Sequence, residues 1–459
     1  MNHWIIAPVV LPAVLAPLIV LGMRHDLILQ RVFSLAGTAA LVLIGAGLLY
    51  HASANPPEVY FLGNWPAPFG ITLVLDRLSA IMVTLTAVLA LLVQLYAVST
   101  AWDTHGRHFH VLFQFQLMGI CGAFLTGDAF NLFVFFEVLL IASYGLMIHG
   151  GGRDRLRAGL QYVAFNLLGS TLFLFALATI YAVTGTLNMA DLAVKVALLP
   201  KEDAALIRVA GVLLILVFAI KGALVPLHFW LPATYARAPG PVAALFAVMT
   251  KVGAYAVIRV CTLIFPPDTP ATGTLFADLL LPAALVTLVL GAVGVLGAVS
   301  LARLVAFATI ASMGTLFVAI AQFTPQSTAA ALYYLIHSTF AGATLFLVAD
   351  LVTDRRKEDG LRQALPPIAQ NGLIAALFFA GAIATAGMPP LSGFLGKLLI
   401  LDAIRGPGMA LIWGSVLITS LIMIMGFSRA GSTLFWKSHA SATLDPPHHR
   451  PEPLAFITV

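Results

Sequence analysis

Charged side chains are scarce in this chain. Only 9% of its 459 residues are Asp, Glu, Lys or Arg, whereas a soluble domain carries roughly 25%. Hydrophobic residues make up 60%, and the mean hydropathy is +0.99. So little polar surface cannot cover a water-soluble fold, so we predict a polytopic membrane protein. The apolar runs are long and lack the short alternating segments of a membrane barrel, which indicates an all-α protein.

Cysteine is also rare, since the chain has only two, Cys121 and Cys261. They lie far apart within apolar runs and form no C-x-x-C spacing, which excludes a disulfide framework and disfavours an iron–sulfur cluster. Most of the twelve histidines are in predicted loops, and only His228 and His337 lie well inside apolar runs. A bis-histidine haem is therefore disfavoured, and we expect neither a cofactor nor a metal site.

The apolar runs predict thirteen membrane spans, because about 20 apolar residues cross a bilayer. The first run lacks a basic leader and a small-residue cleavage site, so it is interpreted as a retained helix. After span 13 the chain turns polar, and its last residues, LAFITV, resemble the start of a fourteenth span. The predicted spans are 4–22, 30–51, 76–99, 111–127, 129–149, 160–184, 207–231, 241–265, 275–299, 301–321, 328–352, 371–404 and 409–434.

Most loop arginines and lysines follow odd-numbered spans. The positive-inside rule then places the N-terminus outside and the tail after span 13 in the cytoplasm. The net charge of +5 is explained by these loops rather than by a nucleic-acid-binding surface. The run Arg153, Arg155 and Arg157 is interpreted mainly as a topology signal, with contact to anionic membrane lipid as a second possibility.

A short motif is repeated in two of the spans. PLHFWLP at 226–232, in span 7, is similar to PLSGFLG at 390–396, in span 12. The two copies are five spans apart, and an odd offset reverses the orientation of the second copy. Paired, proline-interrupted spans of this kind are typical of inverted-repeat transporters.

Three lysines and one glutamate lie well inside spans rather than at span ends: Lys221, Lys251, Lys397 and Glu137. A charge at the centre of a membrane helix costs about 2.5–3.5 kcal/mol on insertion scales. One glutamate cannot neutralise three lysines, so purely structural pairing would need acids from another subunit. A dry interior favours the neutral form of lysine, and a lysine that can be charged or neutral beside a carboxylate is suited to proton transfer.

Both repeated motifs predict helix breaks. Pro226 lacks an N–H and clashes with the carbonyl of Gly222, and opened backbone at membrane depth requires protein or water around it. A hydrated pocket is therefore expected beside Lys221, with His228 two turns further on as a supporting group. The other predicted break residues are Pro232 in span 7 and Gly387, Pro389, Pro390 and Gly393 in span 12, where Lys397 follows. His337 is a candidate proton carrier, with a helix–helix hydrogen bond as the alternative.

Four segments resemble a known family, the antiporter-like membrane subunits. That family includes Mrp-type cation/proton antiporter subunits and the proton-pumping membrane subunits of respiratory complex I and related hydrogenases. The resemblance covers roughly residues 70–430 and is carried by FFEVLLIASYGL at 135–146, KGALVPLHFWLPATYARAPGPVAAL at 221–245, MTKVGAYAVIR at 249–259 and GMPPLSGFLGK at 387–397. WLPATY and Lys397 look most like the D-type subunits of the Mrp group.

The resemblance implies fourteen helices, with two inverted five-helix repeats and broken helices 7 and 12. Residues 1–110 would then form helices 1–3, 111–265 the first repeat (helices 4–8) and 275–436 the second (helices 9–13). The remaining residues, 437–459, would be a cytoplasmic tail and the possible start of helix 14.

The resemblance also implies a proton relay through the middle of the membrane. Its members would be Glu137, Lys221, Lys251, His337 and Lys397, with Glu137 the partner of Lys221. The family often carries a second basic residue five positions after the histidine, where this chain has Gly342. The central step of the relay is therefore expected to depend on water or on His337 alone.

The function expected from these features is Na⁺(K⁺)/H⁺ antiport by one subunit of a hetero-oligomeric complex in a bacterial inner membrane. The chain would be a secondary transporter subunit rather than an enzyme. Two alternatives stay open at this point. One is a proton-pumping subunit of a complex I-like dehydrogenase or membrane-bound hydrogenase, and the other is a non-transporting scaffold whose membrane charges serve assembly.

Overall fold

Several helices begin where a side chain satisfies the first free backbone N–H groups. The computed structural model describes residues 3–440 and 452–459. Asp76 and Ser79 form a reciprocal capping box at the start of the third helix, with Ser79 N donating to Asp76 Oδ1 at 2.8 Å and Asp76 N donating to Ser79 Oγ at 2.9 Å. Thr324 and Ser327 form the same box at the start of a helix whose first residue is Pro325. Such caps define helix ends in a sequence where apolar side chains run almost without interruption.

The structure divides into two compact units. The first comprises Met1–Ile220 and Tyr255–Phe276, and the second comprises Lys221–Ala254 and Ala277–Val459. This division does not test the two five-helix repeats, which stay a prediction together with the residue ranges given for them.

The first unit is built mainly of helices. In chain order they are α1 (Ala7–Gly22), α2 (Leu27–Ala54), α3 (Arg77–Ser99), α4 (Phe109–Leu125), α5 (Ala129–Met147), α6 (Arg153–Thr184), α7 (Met189–Ala197) and α8 (Ala205–Lys221, whose last residue belongs to the second unit). Between α2 and α3 lies an antiparallel hairpin of β1 (Glu58–Phe61) and β2 (Thr72–Leu75), with Glu58 opposite Leu75 and Phe61 opposite Thr72. The sequence predicted neither this hairpin nor the short helix α7.

The second unit contains the remaining helices. They are α9 (Trp230–Tyr235), α10 (Gly240–Leu263, whose last residues belong to the first unit), α11 (Leu275–Gly297), α12 (Leu301–Ile320), α13 (Pro325–Arg356), α14 (Asn371–Ala386), α15 (Ser392–Ala403), α16 (Met409–Gly431), α17 (Lys437–Ala440) and α18 (Pro453–Thr458). A π-helical turn, Ser432–Trp436, links α16 to α17. Of the predicted tail, residues 441–451 lie outside the described residues.

All thirteen predicted spans correspond to helices. Spans 7 and 12 each correspond to two helices, α8 with α9 and α14 with α15. In the described part of the chain, nine helices are long and apolar enough to cross a membrane. Further apolar helices are shorter, including α1, α4 and α14. The prediction of a multi-pass all-α membrane protein is confirmed, with the small hairpin as an addition.

Helices α11 and α12 approach each other backbone to backbone. A Cβ atom on Gly314 would lie 2.4 Å from the backbone N of Leu288, and a Cβ on Gly291 would lie 2.3 Å from the backbone N of Ala311. Real Cβ atoms do not come so close, so both contacts need glycine. Small residues at crossings of this kind let membrane helices gain van der Waals contact where the hydrophobic effect does not drive them together.

An ion pair fastens the loop between α3 and α4 to α2. Arg31 Nε donates to Asp103 Oδ2 at 2.6 Å, and Arg31 Nη2 donates to Asp103 Oδ1 at 2.8 Å. Burial acts to raise the pKa of the Asp103 carboxyl, but hydrogen bonds from Arg31 and His110 outweigh it and hold that pKa below its ordinary value. A lowered folded-state pKa contributes stability that is present above the unfolded pKa, about 3.9, and is lost as the pH falls through the folded value.

Asp103→Asn should therefore destabilise the protein most near neutral pH. The expected loss in unfolding free energy at pH 7 is up to about 3 kcal/mol, because asparagine leaves the Arg31 guanidinium without its carboxylate partner. The difference from wild type should shrink as the pH falls below about 4. Unfolding of the detergent-solubilised chain between pH 3 and pH 8 measures both the loss and its pH dependence.

Asp402→Asn is the matched control. Asp402 is 59% exposed in its pair with Arg405, so this substitution should change the unfolding free energy by less than about 1 kcal/mol. A loss independent of pH would contradict the prediction.

Candidate functional site: buried lysines and two broken helices

The first helix break begins at Lys221. Helix α8 ends on this lysine, and the next helical residue is Trp230, at the start of α9. Lys221 is buried, with 7% of its surface exposed. Pro226 and His228 lie in the intervening non-helical segment, where His228 is partly buried. The lysine thus stands at the carbonyl end of a half-helix, where the helix dipole favours positive charge.

The second break separates α14 from α15. Gly387 caps α14 with a φ of +81°, a conformation that favours glycine, and Pro389 and Pro390 follow in the non-helical link. A side chain on Gly387 would also meet Lys397, since a Cβ there would lie 2.7 Å from Lys397 Cδ. The break therefore provides both the turn and the space that Lys397 occupies.

Two residues predicted as parts of the breaks lie elsewhere. Pro232 is the third residue of α9 and Gly393 the second residue of α15, so each belongs to the first turn of the helix that follows the break. A proline is tolerated there because first-turn N–H groups have no partner within the helix. Gly393 is instead required by packing, because a Cβ would lie 1.9 Å from the carbonyl oxygen of Ala384.

Lys251 lies in the middle of α10 and is 1% exposed. Its Nζ donates to the Met313 sulfur on α12 at 3.2 Å, a weak acceptor. Lys251 also lines a cavity of about 10 Å³ between α10, α12, α13 and α14, near the smallest volume that holds one water. The polar residues around this cavity are Lys251, Thr309, Ser312, Tyr334, His337, Ser338 and Thr385.

His337 connects this cavity to the second helix break. It lines the cavity from α13, and its Nδ1 forms a 2.8 Å hydrogen bond with Ser392 Oγ, the first residue of α15. Lys397, on the same helix as Ser392, donates from Nζ to the Ala386 carbonyl and to Ser420 Oγ on α16, both at 2.8 Å. The second unit therefore brings Lys251, His337 and α15 into one connected region.

Gly342, five positions after His337, has open space beside it. Gly342 lines the same cavity, and the nearest atom to a Cβ built on it is Ala247 Cβ at 3.9 Å. A glycine here leaves the cavity to the hydroxyl groups around it. That the central step depends on water or on His337 stays a prediction.

Glu137 belongs to the first unit. It lies on α5, partly buried, and Ser170 Oγ on α6 donates to its Oε1. The predicted pairing of Glu137 with Lys221 stays a prediction. Asp128 caps α5 by accepting from Asn131 N at 2.8 Å.

Sequence reasoning missed the hydroxyl groups that hold the charged residues. Ser170, Ser392 and Ser420 each contact one predicted site residue from a different helix. In the sequence, these three residues are marked only by being serines inside predicted spans. Serine is common in membrane helices, where it bonds its own backbone, so that signal could not select these three.

Comparison with known proteins places the chain in a family. Residues 126–423 match the family model of NADH:quinone oxidoreductase and Mrp antiporter transmembrane subunits. The chain belongs to this family. It is 38% identical to the D subunit of a probable K⁺/H⁺ antiporter of Rhizobium meliloti (strain 1021), over 95% of this chain and 88% of the relative. It is also 38% identical to the D subunit of the Na⁺/H⁺ antiporter of Bacillus subtilis (strain 168), over 98% and 90%. These relatives are transporter subunits rather than enzymes.

Solved structures agree with this assignment. The Mrp complex from Dietzia sp. DQ12-45-1b contains a chain that matches with a TM-score of 0.88 and 30% identity, over 95% of this chain and 80% of that one. Respiratory complex I from Thermus thermophilus matches with a TM-score of 0.79 and 25% identity, over 99% and 93%. The identity is higher with the antiporter subunits than with the respiratory complex.

Proposed function

We propose that this chain is the D-type, ion-translocating subunit of a multisubunit Mrp-type Na⁺(K⁺)/H⁺ antiporter in a bacterial plasma membrane, with its N-terminus outside. One observation carries the proposal: Lys251 and His337 line the same small cavity inside a bundle of membrane helices. Two basic groups in this position have no purpose in a purely structural core, where apolar residues of similar volume are as stable or more so.

The proposed relay consists of Glu137, Lys221, Lys251, His337 and Lys397. Desolvation makes the neutral form of a buried lysine accessible, so each lysine can hold or release one proton. A single water in the cavity would be within reach of Lys251 and His337 together. His337 would pass the proton towards α15 through its hydrogen bond to Ser392, and Lys397 would receive it.

The Glu137–Lys221 pair is proposed to act as the switch. When the carboxylate is close, Lys221 stays charged and keeps its proton. When the pair separates, the neutral lysine is favoured and the proton moves on. Coupling of this kind is a shift in population driven by the different charge interactions of the two states.

Lys221→Ala and Glu137→Ala should abolish exchange without preventing assembly. Inverted vesicles from an antiporter-deficient host that expresses the full operon would be acidified inside, and Na⁺ or K⁺ would then be added. Wild type should dissipate the pH gradient, and both variants should match vesicles without the operon. Lys195→Ala is the matched control, because Lys195 is an exposed lysine paired with Asp191 on α7. Wild-type exchange by Lys221→Ala would overturn the proposed relay.

The rival function is proton pumping within a redox complex, which the match to complex I supports. The two functions predict different responses to an electron donor. A redox pump acidifies vesicles only when its donor is oxidised, whereas an antiporter responds to an added cation without one. Neighbouring genes for dehydrogenase subunits would favour the rival, and genes for small hydrophobic Mrp-type subunits would favour antiport.

A further inference from the structure

A second buried polar cluster lies in the first unit and contains no residue of the proposed relay. It joins α2, α3 and α4 to the loop that precedes α4, at the helix ends predicted to face the cytoplasm. Its members are Arg31, Ser34, Thr38, Gln94, Asp103, His110 and Gln114. All except Arg31 are buried. The proposed function uses none of them.

His110 is at the centre of this cluster and is completely buried. Its Nε2 lies 3.1 Å from Asp103 Oδ2, and its Nδ1 lies 3.3 Å from Gln94 Nε2. Because an amide nitrogen can only donate, Nδ1 must be the acceptor. The proton of the neutral ring is then on Nε2, facing the carboxylate.

The cluster also has an acceptor for a second proton on this ring. Gln94 Oε1 is buried and has no hydrogen-bond partner within residues 3–440 and 452–459. Ser34 Oγ accepts N–H groups from Gln94 and, at 3.0 Å, from Gln114. A half-turn of the Gln94 amide would place Oε1 where it accepts from a protonated Nδ1 and from the Ser34 hydroxyl. The Gln94 amide can thus offer Nδ1 a donor when the ring is neutral and an acceptor when it is charged.

The charges around His110 also suit a proton. Asp103, from the loop, stabilises an imidazolium, and Arg31, from α2, keeps Asp103 ionised through two hydrogen bonds. Helix α1, which packs on α4, has no titratable side chain. His149, beyond the Phe109 ring, has a pKa that is lowered mainly by burial.

We propose that His110 is a proton-binding site separate from the relay, where protons are exchanged with the aqueous side that the loop 100–108 faces. The competing explanation is that Arg31, Asp103 and His110 only anchor the loop. An anchor needs the Asp103–Arg31 pair but has no use for an unpartnered amide oxygen beside the imidazole. The inference rests on the proposed function only for its transport measurement.

Infrared difference spectra of the assembled complex between pH 5 and pH 8 test the protonation directly. Wild type labelled with isotopic histidine should show a ring protonation band that is lost in His110→Gln and shifts in Asp103→Asn. His108→Gln is the matched control, because His108 is exposed. Any band that this variant loses should keep its position in Asp103→Asn. If spectra of wild type and His110→Gln are the same over this range, His110 binds no proton and the proposal is wrong.

The pH dependence of exchange is the second measurement. Because this site is separate from the relay, its protonation should modulate exchange rather than carry it. We expect wild-type exchange to fall, by up to about tenfold per pH unit, as acidification of the cytoplasmic side protonates His110; this decline is the acidic limb of the pH profile. His110→Gln should lose this limb, and His108→Gln should keep it.

Gln94→Leu is a second variant, for use if His110→Gln fails to assemble. It removes the acceptor for the second proton but leaves the Asp103–Arg31 pair intact, so it should also lose the limb. A wild-type limb in Gln94→Leu or in assembled His110→Gln would overturn the proposal. Failure of the relay would instead abolish exchange at every pH and leave the infrared band in place.

Discussion

Lys251→Met should stop cation/proton exchange while leaving the chain folded and assembled. Methionine has nearly the length of lysine and no proton to transfer. Lys251 is 1% exposed, and its Nζ contacts the Met313 sulfur at 3.2 Å, so an apolar replacement fits its surroundings and removes a desolvation cost. Loss of a proton-transfer group typically lowers a rate by about 10²–10⁴-fold, which would bring exchange in vesicles to background.

Lys251→Arg separates charge from proton transfer. Arginine keeps the positive charge but does not deprotonate in proteins. If Lys251 must release its proton, the arginine variant should be as inactive as the methionine variant. If the site needs only a fixed charge, the arginine variant should exchange cations and the relay mechanism at this position would be wrong. Lys195→Met, at an exposed position on α7, controls for a general effect of removing a lysine.

Gly314→Val should prevent stable assembly. A Cβ at this position would lie 2.4 Å from the backbone N and 2.6 Å from the Cα of Leu288, and backbone atoms cannot rotate away as a side chain can. The two helices would have to move apart along a contact that also includes Gly291. Overpacking of a well-packed core costs about 1–3 kcal/mol and occasionally more; a clash with backbone should be at the upper end.

The measurement is the amount of intact complex recovered from membranes and its unfolding midpoint in detergent. Gly314→Ala should give an intermediate loss, since it adds one carbon where valine adds three. Gly414→Val is the matched control, because a Cβ there meets nothing within 4 Å and the residue is likewise inside a membrane helix, α16. Equal recovery of the Gly314 and Gly414 valine variants would show that the α11–α12 contact tolerates separation.

The helices were largely predictable from the sequence, and the reason is the bilayer. A lipid environment requires long apolar segments with all backbone groups bonded internally, so apolar runs and helices coincide. The breaks at 222–229 and 387–391 were predictable for the same reason, because proline and glycine interrupt that bonding. The hairpin Glu58–Leu75 and helix α7 were missed, since both lie outside the apolar runs and are too short for periodicity to reveal.

The site was predictable in its charged members but not in its contacts. Lys221, Lys251 and Lys397 stand out because charge is costly at membrane depth. Nothing local links Lys251 to Met313 or His337 to Ser392, because these contacts join helices separated by many residues in the chain. The His110 cluster was missed because Asp103 lies in a loop and His110 at the start of a helix. Polar residues are common at both places, so they do not indicate a site.

A proton on Lys397 also affects the electric field at the end of helix α14. Its Nζ is bonded to the carbonyl of Ala386, the last residue of α14, so a proton there compensates the partial negative charge at the end of that helix. A neutral amine still has two N–H groups and can keep both hydrogen bonds when the proton leaves. Passage of a proton would then change the electric field at the last turn of α14 without requiring the helices to move.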